Sequence, residues 1–177
     1  MLNVVVGQIP AMTRDNDYLI YIKEEIRLGI RFEVNRTANV SIHKMYEGLL
    51  DLDSAQQWMQ GLVGIERLDN GPMQVGSQWK ESRRMFGKVA TEHFEVVELQ
   101  EPNKIVLRCD GTKGTTGTGE FLFTYILTPS NDHTEIILSG EINGLTGFAK
   151  FFGKMMAGTF KKACEKDLDL LIGYMEK

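Results

Sequence analysis

The order of the apolar patterns constrains this chain more than any motif does. One period-two strand pattern comes first. Two short helical stretches follow, then a succession of alternating strands, and a single long helical pattern closes the sequence. That closing stretch, about Gly147 to Met175, sets Phe152, Met156, Phe160, Cys164, Leu168, Leu171 and Met175 on one broad stripe. A helix with such a stripe must lay it on an apolar surface, and the surface available is the sheet formed by the strands before it. A curved antiparallel sheet gripping one helix leaves space between the two, and space of that kind holds ligands.

The strands are legible by alternation. Ile30 to Val40 sets Ile30, Phe32 and Val34 against Arg31, Glu33 and Asn35. Ser41 stands at an N-cap position, with Val40 and Met45 placed as a hydrophobic staple for a helix reaching about Leu52. Asp53 or Ser54 opens a second short helix through Trp58 that stops at Gly61. Strands then follow at Val63–Leu68, Gly76–Arg84, Val89–Leu99, Ile105–Asp110, Gly119–Thr128 and Thr134–Asn143, joined by turn clusters such as Asp69-Asn70-Gly71-Pro72. Direct hairpins between neighbours make an antiparallel meander the economical arrangement.

Parity assigns the face beneath the helix. It receives Ile105, Leu107 and Cys109; Phe121, Phe123, Tyr125 and Leu127; and Ile136, Leu138 and Ile142 with Gly140 between them. With Phe86-Gly87 at the centre of a turn, Trp79 falls opposite Phe94, and Glu81 and Arg83 share the Trp79 face. A slip of one residue would bring His93 inward instead. Leu122, Ile126 and Ile137 fall on the outer face.

Composition excludes several classes. The 177 residues suit one domain, and 42% hydrophobic with 25% charged residues reads as an ordinary soluble globule. Net charge is −4 with scattered Lys and Arg, so no nucleic-acid footprint is expected. No apolar run reaches membrane-spanning length, and the first ten residues lack the pattern of a secretory signal. Cys109 and Cys164 read as buried free thiols of a cytoplasmic protein. His43, His93 and His133 lie far apart, so no metal site and no cofactor are expected. Residues 1–29 differ from the rest and read as an extension, with Asp15 to Asp17 able to cap a short helix.

The segments Phe32-Glu-Val-Asn-Arg-Thr-Ala-Asn-Val-Ser41, Leu52-Asp-Leu-Asp-Ser-Ala-Gln-Gln-Trp58-Met, Leu68-Asp-Asn-Gly-Pro-Met-Gln-Val-Gly76-Ser-Gln-Trp79 and Phe94-Glu-Val-Val-Glu-Leu-Gln-Glu-Pro102 follow one another in an order that resembles the START-like superfamily. That superfamily takes in polyketide cyclase/dehydrase-like, pollen-allergen-like and lipid-transfer START proteins. The resemblance covers residues 30–177. It implies an α+β helix-grip domain: a curved antiparallel sheet of about six to seven strands, two short helices and one long C-terminal helix over a cavity. It also implies binding of a hydrophobic small molecule, such as a lipid, a polyketide-like or an isoprenoid compound; the outer-face Leu122, Ile126 and Ile137, open to a dimer contact or to cover by the extension, leave a monomer or a homodimer as the expected state. It carries no universal catalytic motif, so the catalytic residues stay unassigned.

Within that frame the expected ligand-binding residues are Trp79, Glu81, Arg83, Phe94, Cys109, Phe121, Phe123, Tyr125, Met156 and Phe160, with Trp58 at the cavity mouth. Glu81 and Arg83 can orient a polar head group, or stand as a solvated pair at the rim. Tyr125 can donate a hydrogen bond, or simply pack. His93 reads as a surface strand histidine. The Gly111–Gly119 stretch lacks the Gly-Lys-Ser/Thr ending of a phosphate loop and leads into a strand, so it reads as a hairpin loop beside the cavity. Three functions fit: a carrier or sensor of a hydrophobic molecule, a cyclase/dehydrase-type enzyme using Arg83, Glu81 or Tyr125, and a partner-binding module.

Overall fold

The computed structural model describes residues 30–177, apart from residues 86 and 146 and the side chains of 85 and 147–156. The extension, the helix expected near Asp15 and the side chain of Met156 lie outside the described residues. Seven strands, β1 (Ile30–Ala38), β2 (Leu62–Arg67), β3 (Gln78–Met85), β4 (Lys88–Gln100), β5 (Lys104–Asp110), β6 (Glu120–Ser130) and β7 (His133–Asn143), form one antiparallel sheet in the order β1-β7-β6-β5-β4-β3-β2. Helix α1 (Ile42–Leu50) and a 3-10 turn (Ala55–Gln57) connect β1 to β2, and helix α2 (Gly147–Met175) closes the chain. This is the α+β helix-grip fold.

Local chemistry sets these boundaries. Ser41 caps α1 by accepting a hydrogen bond from the Lys44 amide at 3.3 Å. The second short helix is a single 3-10 turn. Ser54 occupies its N-cap without a capping bond, its hydroxyl donating to the Asp51 carbonyl instead at 3.2 Å, while Asp51 Oδ1 accepts from the amides of Asp53 and Ser54. The β3–β4 hairpin turns at Gly87, whose φ of 78° is costly for any residue with a Cβ.

Rungs of the sheet carry the concave face. Ile142, Phe121, Cys109, Phe94 and Trp79 are successive cross-strand partners. So are Val34, Leu138, Tyr125 and Ile105. A bulge between Val96 and Glu98 breaks the parity of β4. Because of it Leu99 pairs with Ile105 and packs on the core, and Glu98 turns out to bind Lys104 at 2.7 Å.

The core lies at one end of the groove. There Val34, Ala38, Met45, Ile105, Leu127, Ile136, Leu138, Leu168 and Leu171 are each at most 3% exposed. Polar ties fasten α2 over this end: Lys44 Nζ donates to the Met175 carbonyl, the Asn39 amide to Glu176, and Arg36 pairs with Asp169.

Candidate functional site

Beyond the core, where β3 and β4 curve under the middle of α2, side chains do not meet across the gap. A cavity of about 370 Å³ opens there. The register places Trp79 against Phe94, and their rings stack at 5.5 Å with planes 9° apart. Phe123 follows Phe94 at 6.2 Å, and Phe160 of α2 closes the series over Phe123 and Phe121 at 5.9 and 5.7 Å. Phe160 also meets the edge of Phe32. Phe32 in turn lies across Gly140, where a Cβ would collide with its ring.

Nine of the ten residues expected from the sequence line this cavity: Trp79, Glu81, Arg83, Phe94, Cys109, Phe121, Phe123, Tyr125 and Phe160. Trp58 lines it too, half-buried, with its indole N–H buried and without a partner. The tenth, Met156, has its side chain outside the described residues.

Glu81 and Arg83 are not a solvated rim pair. Glu81 is 7% exposed, and Arg83 Nε donates to its Oε1 at 2.5 Å. Arg83 Nη1 donates to Asp167 of α2, and Asp167 Oδ1 accepts from the Gln60 amide at 3.1 Å. One carboxylate thus joins helix, sheet and the segment before β2. Burial by itself lowers the Arg83 pKa, but the charges of Glu81 and Asp167 more than offset this and raise it above its ordinary value. The guanidinium therefore stays charged. Burial pushes the Tyr125 hydroxyl above its ordinary pKa, so it stays a hydrogen-bond donor. Burial likewise pushes Cys109 and Cys164 up to about 12, which leaves both as thiols rather than thiolates near neutral pH.

His93 departs from expectation. It is 7% exposed, not a surface residue, and it is not part of the cavity lining. Pairing of Trp79 with Phe94 sends the preceding residue of β4, His93, to the opposite face beside Lys80.

Several lining residues escaped the sequence reading. Asp167 sits three residues after Cys164 on the flank of the apolar stripe, and a carboxylate in that position was the available signal. Glu92 lies two residues before Phe94, so parity alone puts it on the same face. The Gly111–Gly119 loop does border the cavity: Thr116 lines it and donates from its amide and hydroxyl to Glu92 Oε1 at 3.0 and 2.8 Å. Among the described residues no group of three or more His, Cys, Asp or Glu is arranged to hold a metal ion, and no helix is long and apolar enough to cross a membrane.

A family model described as polyketide cyclase / dehydrase and lipid transport matches residues 29–176, and the chain belongs to that family. Among solved structures, the Zhui aromatase/cyclase of Streptomyces sp. R1128 is similar at a TM-score of 0.69 and 16% identity, covering 83% of this chain and 93% of that one. Ara h 8.0201 is similar at 0.68 and 14%, covering 82% and 97%. A START superfamily protein from Mycobacterium smegmatis is similar at 0.64 and 16%, covering 82% and 97%. At these identities the likeness shows the fold alone. No curated protein matches the chain.

Proposed function

We propose that this member of the polyketide cyclase/dehydrase and lipid-transport family binds a hydrophobic small molecule in the cavity under α2. The observation that carries the reading is the cavity itself, about 370 Å³ walled by Trp79, Phe94, Phe121, Phe123 and Phe160. A dry void of that size, at about 24 cal/mol per Å³, would cost about 9 kcal/mol. That is comparable with the ~5–15 kcal/mol stability of a whole domain, so the space does not stay dry: it holds water on its polar groups or it holds a ligand. Aromatic walls with a few fixed polar groups suit an apolar ligand oriented by one polar end. Native mass spectrometry of gently purified protein, followed by titration with a panel of lipids and aromatic compounds, tests the reading. A retained or acquired apolar species supports it; failure to bind any apolar compound rejects it.

A second reading, catalysis on a bound polyketide-like chain, draws on the Arg83 cluster and Tyr125. A fixed guanidinium and a protonated phenol on one wall can polarise a carbonyl of a positioned ligand. Under this reading Arg83→Ala and Tyr125→Phe abolish turnover while binding remains measurable. Full activity in both variants would remove these residues from any such role.

A further inference from the structure

We infer that the cavity selects a ligand whose polar end is a protonated amine and excludes carboxylates and phosphates; this rests on the binding role proposed above. Among the described residues its charged lining comprises Asp51, Glu81, Glu92 and Asp167 against one cation, Arg83. Arg83 already shares its charge with Glu81 and Asp167, so an anionic head group would meet an excess of negative charge among the described lining residues.

The sheet register sharpens the point. Glu81 and Glu92 are direct cross-strand partners on the cavity face. Like charges directly opposed across a ladder are destabilising, and burial makes the repulsion stronger. Arg83 relieves only one oxygen of Glu81; the other has no partner among the described residues. Glu92 accepts at Oε1 from Thr116, while its Oε2 is buried without a partner against Gly114 of the same loop and does not face the cavity, so Glu81 presents the nearer carboxylate to a ligand. An ammonium group at Glu81 brings one positive charge and three donors, and the charge offsets the repulsion within this pair. The Trp79–Phe94 rung lies two residues along the same strands, about 7 Å from the Glu81–Glu92 rung. A cation held at Glu81 therefore places an attached ring or chain against the aromatic wall, and the rings themselves attract a cation.

The test uses three probes that share a naphthyl group and differ in the polar end: naphthylethylamine, naphthylethanol and naphthylacetate. Each is titrated into the full chain and followed by calorimetry at neutral pH. The amine should bind tightest and the acetate at least about tenfold more weakly, the scale of one charge pair in a partly screened site. Glu81→Gln should shrink the amine-to-acetate ratio several-fold. If that variant does not fold, Asp51→Asn, at the exposed end of the same lining, should shift the ratio in the same direction. Acetate binding as tightly as the amine, or a ratio unmoved in a folded variant, would overturn the charge selection and leave the binding role standing. If none of the three probes binds, and no other apolar compound does, the binding role falls and this inference falls with it.

Discussion

The two ends of the groove use the same sheet and the same helix, yet one is filled and the other is hollow. At the filled end α1 inserts Met45, fully buried, and Ile172 of α2 shares one buried cluster with Val34 and Ile136, while Leu138, Leu168 and Leu171 of the same cluster form its border with the cavity. At the hollow end the helix offers Phe160, Ala163, Cys164 and Asp167, and the sheet answers with rings and an ion pair around open space. The filled end is what makes the hollow one tolerable. Close packing there, with ties from Lys44, Asn39 and Arg36, fixes where α2 lies, so the helix can pass over the cavity without collapsing into it.

The largest effect should come from emptying the filled end. Met45→Ala or Ile136→Ala should each lower stability by about 2–5 kcal/mol in urea unfolding, since both side chains are at most 1% exposed and their neighbours cannot close the gap. Equal losses from Leu107→Ala in the cavity wall would erase the contrast between the two ends.

Next in size is the same substitution made at both ends. Ala38→Leu, at a position with no exposure, should cost about 1–3 kcal/mol through overpacking. Ala163→Leu points its added atoms into the cavity and should cost less than about 1 kcal/mol while weakening ligand binding. If Ala163→Leu destabilises as much as Ala38→Leu, the space under α2 is not open to a side chain. Gly140→Ala tests the boundary between the ends. Its Cβ must displace the Phe32 ring toward Phe160, at an expected cost of about 1–3 kcal/mol and with altered binding.

Most of the filled end was legible in the sequence, because alternation and the helical stripe both report burial. The Trp79–Phe94 register followed from one hairpin turn. The hollow end was legible only in part. Parity gives Glu81, Arg83, Phe121 and Tyr125 a common face, but it does not say that Asp167, 84 residues beyond Arg83, completes their ion pair. Nor does it show the β4 bulge, which swaps Glu98 for Leu99 and depends on how the ladder closes rather than on residue type. Whether a stretch of aromatic residues fills or merely lines a space is set by the height of α2, a property of the packing at the other end.

The smallest effect near neutral pH concerns the two thiols, which belong to the hollow end. Burial holds Cys109 and Cys164 up to about 12, against an ordinary value near 9. At any pH well below 9 thiolate is then about a thousandfold scarcer than in a free cysteine, and alkylation should be slowed to match. The linkage has a definite sign. A thiol with a raised folded-state pKa favours the folded form fully below its unfolded value; that contribution is lost as pH climbs from about 9 toward 12, because only the unfolded chain releases the proton there. Stability measured by urea should therefore be insensitive to these groups at pH 7 and fall above pH 9, with the fall reduced in a Cys109→Ala, Cys164→Ala double variant. A ligand in the cavity should slow alkylation of Cys164 further, since that thiol faces the space the ligand fills. Rapid modification of both thiols at pH 7, with or without ligand, would mean that water already reaches them as freely as it reaches the surface, and the distinction between a lined cavity and an open cleft would be lost.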